Sequence, residues 1–142
     1  LRYNLKDLPD AILIATSPLT ENRNAKYDWQ ELKIIEKLIA NNQDKSFILK
    51  LHYREAHDKY DEIIYKYPNV SKMVDILNQL PLQLMFSSIS KVIGFHSSVI
   101  TQFGSQSPGC AMSLSHLIDS THSRNFVLTS PKGVKFIDDF KT

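Results

Sequence analysis

The chain has 142 residues, enough for one domain with a sizeable core. Its 42% hydrophobic and 23% charged residues are ordinary for a soluble globular protein, and a net charge of +2 without a dense Lys/Arg stripe leaves no nucleic-acid footprint. The single cysteine, Cys110, excludes an internal disulfide framework and is read as a small buried apolar residue. No stretch approaches the ~20 apolar residues of a transmembrane span, and no signal-peptide pattern is read. The chain opens on Leu1 rather than Met, so it is expected to be a piece of a longer protein.

Ala11 to Ala15 is a short continuous apolar run and reads as a buried strand. The polar, Pro-containing segment from Thr16 to Asn24 is a loop. Asp28 with Glu31 three residues on has capping-box spacing, and Trp29, Leu32, Ile35, Leu38 and Ile39 follow near the helical period, up to Asn41 and Asn42. Phe47 to Leu51 is a second strand. Ala56 to Tyr67 reads as a helix closed by Pro68 and Asn69, and Met73 to Ile76 as a short strand. Pro81 suits the first turn of another helix, with Leu82, Leu84, Met85 and Phe86 behind it. Lys91 to Phe95 is a strand. Ser97 caps a helix to about Phe103, which the Gly104-to-Gly109 segment interrupts as a loop. Cys110 to Leu114 reads as the last parallel strand, Phe126 to Leu128 as a short strand, and Val134 to Phe140 as a terminal turn. Strand and helix alternate, the pattern of βαβ units, so the expected fold is an α/β, Rossmann-like three-layer domain on a parallel sheet, occupying residues 1–142.

In such a sheet the ligand crevice lies at the carboxyl ends of the strands. His52 follows the second strand, in Lys50-Leu51-His52-Tyr53-Arg54-Glu55. An imidazole there donates a hydrogen bond, or a proton, to a phosphate oxygen. Its alternative is a histidine satisfied at a strand end. Arg54 is either a phosphate clamp or the partner of Glu55 or Asp58. Ser97 and Ser98, in Gly94-Phe95-His96-Ser97-Ser98, open a helix whose unpaired N–H groups suit an anion. The plainer reading has Ser97 as a cap and Ser98 facing solvent. Glu21, in the loop after the first strand, faces the same crevice as a general base or is a solvated loop glutamate. Tyr53, Tyr60 and Tyr65 are candidates for stacking on a base, with Tyr60 read mainly as packing its helix onto the sheet. His57, His96, His116 and His122 do not fall into zinc spacing with Cys110, so no metal is expected. The chain has no G-x-S-x-G elbow, P-loop or G-x-G-x-x-G, which counts against a serine hydrolase, a P-loop NTPase and a typical NAD enzyme.

Four segments in order, Ile14 to Asn22, Lys50 to Glu55, Leu80 to Leu84 and Val92 to Ser98, resemble the C-terminal half of bacterial sialyltransferases of glycosyltransferase family 52, over roughly Ala11 to Ser115. The bacterial polysialyltransferases are a related comparison. The resemblance implies the nucleotide-sugar-binding lobe of a two-lobed GT-B glycosyltransferase, with the N-terminal acceptor lobe outside this chain. It implies CMP-sialic acid as donor, no cofactor, and metal-independent, inverting transfer of sialic acid to a galactose-type hydroxyl in lipooligosaccharide or capsule. On that resemblance His52 contacts the CMP phosphate and assists its departure, Ser97 and Ser98 hydrogen-bond the same phosphate, and Glu21 with Asn22 falls on the acidic motif that supplies the base. Tyr53 stands where the family has proline, Asn22 and Arg23 where it has an acid and glycine, and Gln83 where it often has an acid. Asn22 cannot act as a base, so either Glu21 takes that role or catalysis is lost. Another GT-B transferase with a CMP- or CDP-activated donor, and a catalytically degenerate nucleotide-binding or assembly module, stay open beside it. The implied partners are the nucleotide-sugar donor, a glycan acceptor and the missing lobe, with no nucleic acid. The implied location is cytoplasmic, with peripheral association at the inner face of the bacterial membrane and a homodimer as open possibilities.

Overall fold

Six short runs pair into one all-parallel sheet: β1 (Ile12–Ala15), β2 (Phe47–Lys50), β3 (Val70–Lys72), β4 (Lys91–Gly94), β5 (Ala111–Ser113) and β6 (Val134–Phe136). The computed structural model describes residues 11–18, 30–73, 90–95, 98–118, 121–129 and 131–142. Strand order is β3-β2-β1-β4-β5-β6, and every neighbouring pair is parallel. Among the described residues the helices are α1 (Gln30–Ala40), α2 (Asp61–Lys66), α3 (Ser98–Gln106) and α4 (Thr121–Thr129), with a 3-10 turn at Ser115–Leu117. Parallel strands need crossovers, and crossovers cover both faces of the sheet.

Side-chain alternation sorts the core into two layers. Ile12, Ile14, Phe47, Leu49, Ile93, Phe95 and Met112 lie on one face with Ile35, Leu38 and Ile39 of α1 and Ile63 of α2. Leu13, Ile48, Val92 and Ala111 lie on the other, with Ile100 and Phe103 of α3. The chain steps one way from β1 to β3 and the other way from β4 to β6, so right-handed crossovers of the two halves fall on opposite faces. The expected Rossmann-like three-layer α/β fold is therefore present. The order 3-2-1-4-5-6 is that of two mononucleotide-binding halves meeting at β1 and β4.

Several elements differ from the expectation. The helix expected over 56–67 is helical only at Asp61–Lys66. Before it the chain makes successive tight turns, with the Glu55 N–H donating to the His52 carbonyl and the Lys59 N–H to the Ala56 carbonyl. These turns direct the Glu55 side chain inward. The strand expected from Met73 lies three residues earlier, at Val70–Lys72, and the Met73 N–H closes its ladder on the Leu49 carbonyl. Residues 74–76, the helix expected from Pro81, Gln83, and the expected cap at Asp28 and Trp29 lie outside the described residues.

Gly104 does not break α3; it is buried in it, because a Cβ there would press on Val134 and on the Gly133 backbone. Phe126, Val127 and Leu128 are helical, not a strand: the Phe126 ring meets Phe136 edge-on at 6.1 Å, a contact that only the folded sheet supplies. The sheet does not end at β5 either. Val134–Phe136, expected as a turn, pairs with Ala111–Ser113 as a sixth parallel strand. Cys110 is half-buried rather than buried. Among the described residues no helix is long and apolar enough to cross a membrane.

Candidate functional site at the strand carboxyl ends

The switch in crossover direction falls between β1 and β4, so the crevice outside their carboxyl ends is where this fold binds ligands. Two candidate residues are described on the strands flanking β1. His52 is half-buried just beyond β2, and Ser98 is the exposed first residue of α3, which follows β4. Arg54 is exposed on the same loop as His52. Glu21, Asn22, Arg23, His96 and Ser97 lie outside the described residues. Among the described residues no group of three or more His, Cys, Asp or Glu side chains gathers to hold a metal ion.

The His52 ring is oriented by its own loop. The Arg54 N–H donates to His52 Nδ1 at 3.2 Å, which assigns the ring proton of the neutral imidazole to Nε2. The Tyr53 ring stacks on it at 4.4 Å while remaining 88% exposed. The imidazole thus presents an N–H donor, the form that a phosphate oxygen accepts. Tyr65 is exposed on α2, whereas Tyr60 is fully buried and packs its segment onto the sheet as expected.

The residue that sequence reasoning undervalued is Glu55. Its side chain is completely buried. Oε2 accepts the His52 N–H at 2.7 Å and the Thr16 hydroxyl. Oε1 accepts Lys59 Nζ at 2.9 Å and the Tyr60 hydroxyl at 3.4 Å. Four donors meet the four lone-pair positions of one carboxylate. Lys59, itself 6% exposed, also binds Glu31 Oε1 at 2.6 Å and the Ser17 carbonyl at 3.4 Å, so its three N–H groups each have an acceptor. The Glu55 carboxylate is thereby committed, which removes it as the partner proposed for Arg54. Glu31, whose expected capping partner Asp28 lies outside the described residues, also joins this ion network through Lys59. The network ties the exit of β1, through Thr16 and Ser17, to the exit of β2, through His52, and to α1 through Glu31. The only sequence signal was the i,i+4 spacing of Glu55 and Lys59.

Lys50 ends β2 on the face of Ile48, by strand alternation, the face that α3 covers. Burial pulls its ammonium below the ordinary lysine value of 10.5. A lowered folded value means that the folded state binds fewer protons than the unfolded chain between the two, so stability rises with pH across that interval. Lys50→Met is therefore expected to gain stability at neutral pH, by no more than about 1 kcal/mol given the part of the side chain still in water. Urea titrations at several pH values check this: the gain shrinks as pH approaches 10.5. A gain independent of pH would assign the effect to packing alone.

Compared with known proteins, the chain matches no family model and no curated protein.

Proposed function

We propose that this chain is the donor-nucleotide lobe of a sialyltransferase-like glycosyltransferase. It holds the phosphate of CMP-sialic acid while the sugar passes to a glycan hydroxyl in surface polysaccharide or lipooligosaccharide. The observation that carries this reading is the pre-oriented His52 Nε2–H donor beside the switch point of a mononucleotide-binding sheet. Ser98 on the other flank of β1 supports it, since a hydroxyl at the start of a nine-residue helix adds to the N–H groups that favour an anion. Glu21 is the proposed base, and Arg54 and Ser97 are proposed phosphate contacts. In this role His52 donates to the departing phosphate oxygen and offsets the charge that develops there.

Titration calorimetry of the full-length protein with CMP tests the reading. His52→Ala is expected to weaken CMP binding about tenfold or more, the loss of one hydrogen bond to a charged group. Its unfolding midpoint should move little, because the backbone N–H of residue 52 still reaches Glu55. An absence of CMP binding to the wild-type protein would sink the proposal.

A nucleotide-binding module without transfer activity is the second reading. It is favoured by the commitment of Glu55 and Glu31 to the ion network, away from any substrate. Donor hydrolysis by the full-length protein, abolished by Glu21→Gln, would exclude it.

A further inference from the structure

At the carboxyl end of β5, apart from the His52 crevice, lies a cavity of about 260 Å³ lined by Ser115, His116, Ile118, Arg124, Val127 and Leu128. We propose that it is a binding site for a small carboxylate with an apolar body.

The cavity is built from the 3-10 turn after β5 and from α4. Its wall is mostly hydrocarbon from Ile118, Val127 and Leu128. Two polar groups are buried in it without hydrogen-bond partners. Ser115 is fully buried, and its Oγ has none. Both ring nitrogens of His116 are likewise unpartnered. Asp138 Oδ1 lies 3.2 Å from His116 Nε2 but outside hydrogen-bond alignment, and the Asp138 side chain is itself 88% exposed. The ring is held by packing, edge-on against Phe136 at 5.5 Å. Buried polar groups of a folded protein are almost always paired, so adjacent orphans in one cavity call for a guest.

The lining specifies the guest's chemistry. Ser115 and His116 supply an O–H and an N–H, and Arg124 adds positive charge at the exposed rim. No carboxylate lines the cavity among the described residues. An acceptor with negative charge is the complement of these groups, and the aliphatic wall requires an apolar remainder. Nδ1, the ring nitrogen away from Asp138, donates to the guest in the doubly protonated imidazole. This site does not depend on the donor-lobe reading, and its test needs no nucleotide.

Phenylacetate is a suitable probe. At ordinary ligand efficiency its ten or so non-hydrogen atoms give affinity in about the millimolar range. Heteronuclear NMR titration of the labelled chain should show saturable shifts of the His116 ring and of the Val127 and Leu128 methyl groups. Phenylacetamide, its neutral counterpart, should bind at least about fivefold more weakly. Leu128→Glu places a carboxylate at the 79% exposed rim position without touching the core, and should weaken phenylacetate binding by a similar factor. Ser115→Ala should weaken it too. The proposal is overturned if those signals do not respond to phenylacetate, if phenylacetamide binds equally well, or if the Leu128→Glu protein binds phenylacetate like the wild type.

Discussion

Glu55→Ala is expected to cost about 3–5 kcal/mol of folding stability, the usual penalty for removing one partner of a buried ion pair. The size follows from what is stranded. Lys59 keeps Glu31 but loses its second carboxylate, the His52 N–H and the Tyr60 hydroxyl lose this acceptor, and the Thr16 hydroxyl is left with only the Lys50 carbonyl at 3.3 Å. Glu55→Gln does not rescue this. One end of the amide becomes a donor and faces donors, so it leaves a clash where the carboxylate had four acceptor positions in use. Urea unfolding monitored by circular dichroism gives the measurement. Lys59→Met added to Glu55→Ala should cost less than the sum of the two single changes, because the residues share one network. A loss below about 1 kcal/mol would show that the network is solvent-screened and contributes no more than a surface pair. The change also loosens the loop that orients His52, so on the proposed function CMP affinity should fall in conditions where the variant remains folded.

The second large effect is expected at Gly133. A Cβ there would lie 2.0 Å from the Gly104 carbonyl oxygen and 2.6 Å from its carbon, both backbone atoms of α3 that no rotamer change can move aside. Its φ of +81° adds strain for any L side chain. Gly133→Ala must therefore separate α3 from the start of β6, and at least about 3 kcal/mol is expected to be lost. For a chain of this size that is a fall in Tm of roughly 10 °C. Gly109 supplies the control. Its φ is +84°, but a Cβ there would meet nothing within 4 Å. Gly109→Ala then isolates the conformational cost, about 1–2 kcal/mol. Equal losses at the two glycines would show that the close approach to α3 contributes nothing.

The strands that could be read from the sequence are the ones buried on both faces. β1, β2, β4 and β5 centre on apolar residues that are buried on both faces, with a polar residue only at one end of β2, β4 and β5. The two edge strands escaped that logic. β3 is Val70-Ser71-Lys72 and β6 is Val134-Lys135-Phe136, three residues each with a polar one in the middle. Phe126-Val127-Leu128 has strand composition and is helical, since its placement depends on Phe136, which is distant in sequence. Gly104 has the look of a helix breaker, and its reason for being glycine is Gly133, almost thirty residues on. The same division holds at the site. His52 was legible because position after a strand is a local property. The hub around Glu55 was not, because Thr16 and Glu31 come from other elements and neither spacing nor composition brings them to it.

β1 lies at the middle of the sheet, yet it is the earliest of the six strands in the chain. Its partner on one side, β2, is about thirty residues away, but its partner on the other, β4, begins only at Lys91. During folding, therefore, a three-stranded β3-β2-β1 half can assemble while the free edge of Ile12-Leu13-Ile14 still waits for β4. An unprotected parallel edge of that composition is a template for association with another chain. Refolding of this protein should thus be sensitive to its own concentration, with losses set by how quickly β4 reaches the waiting edge.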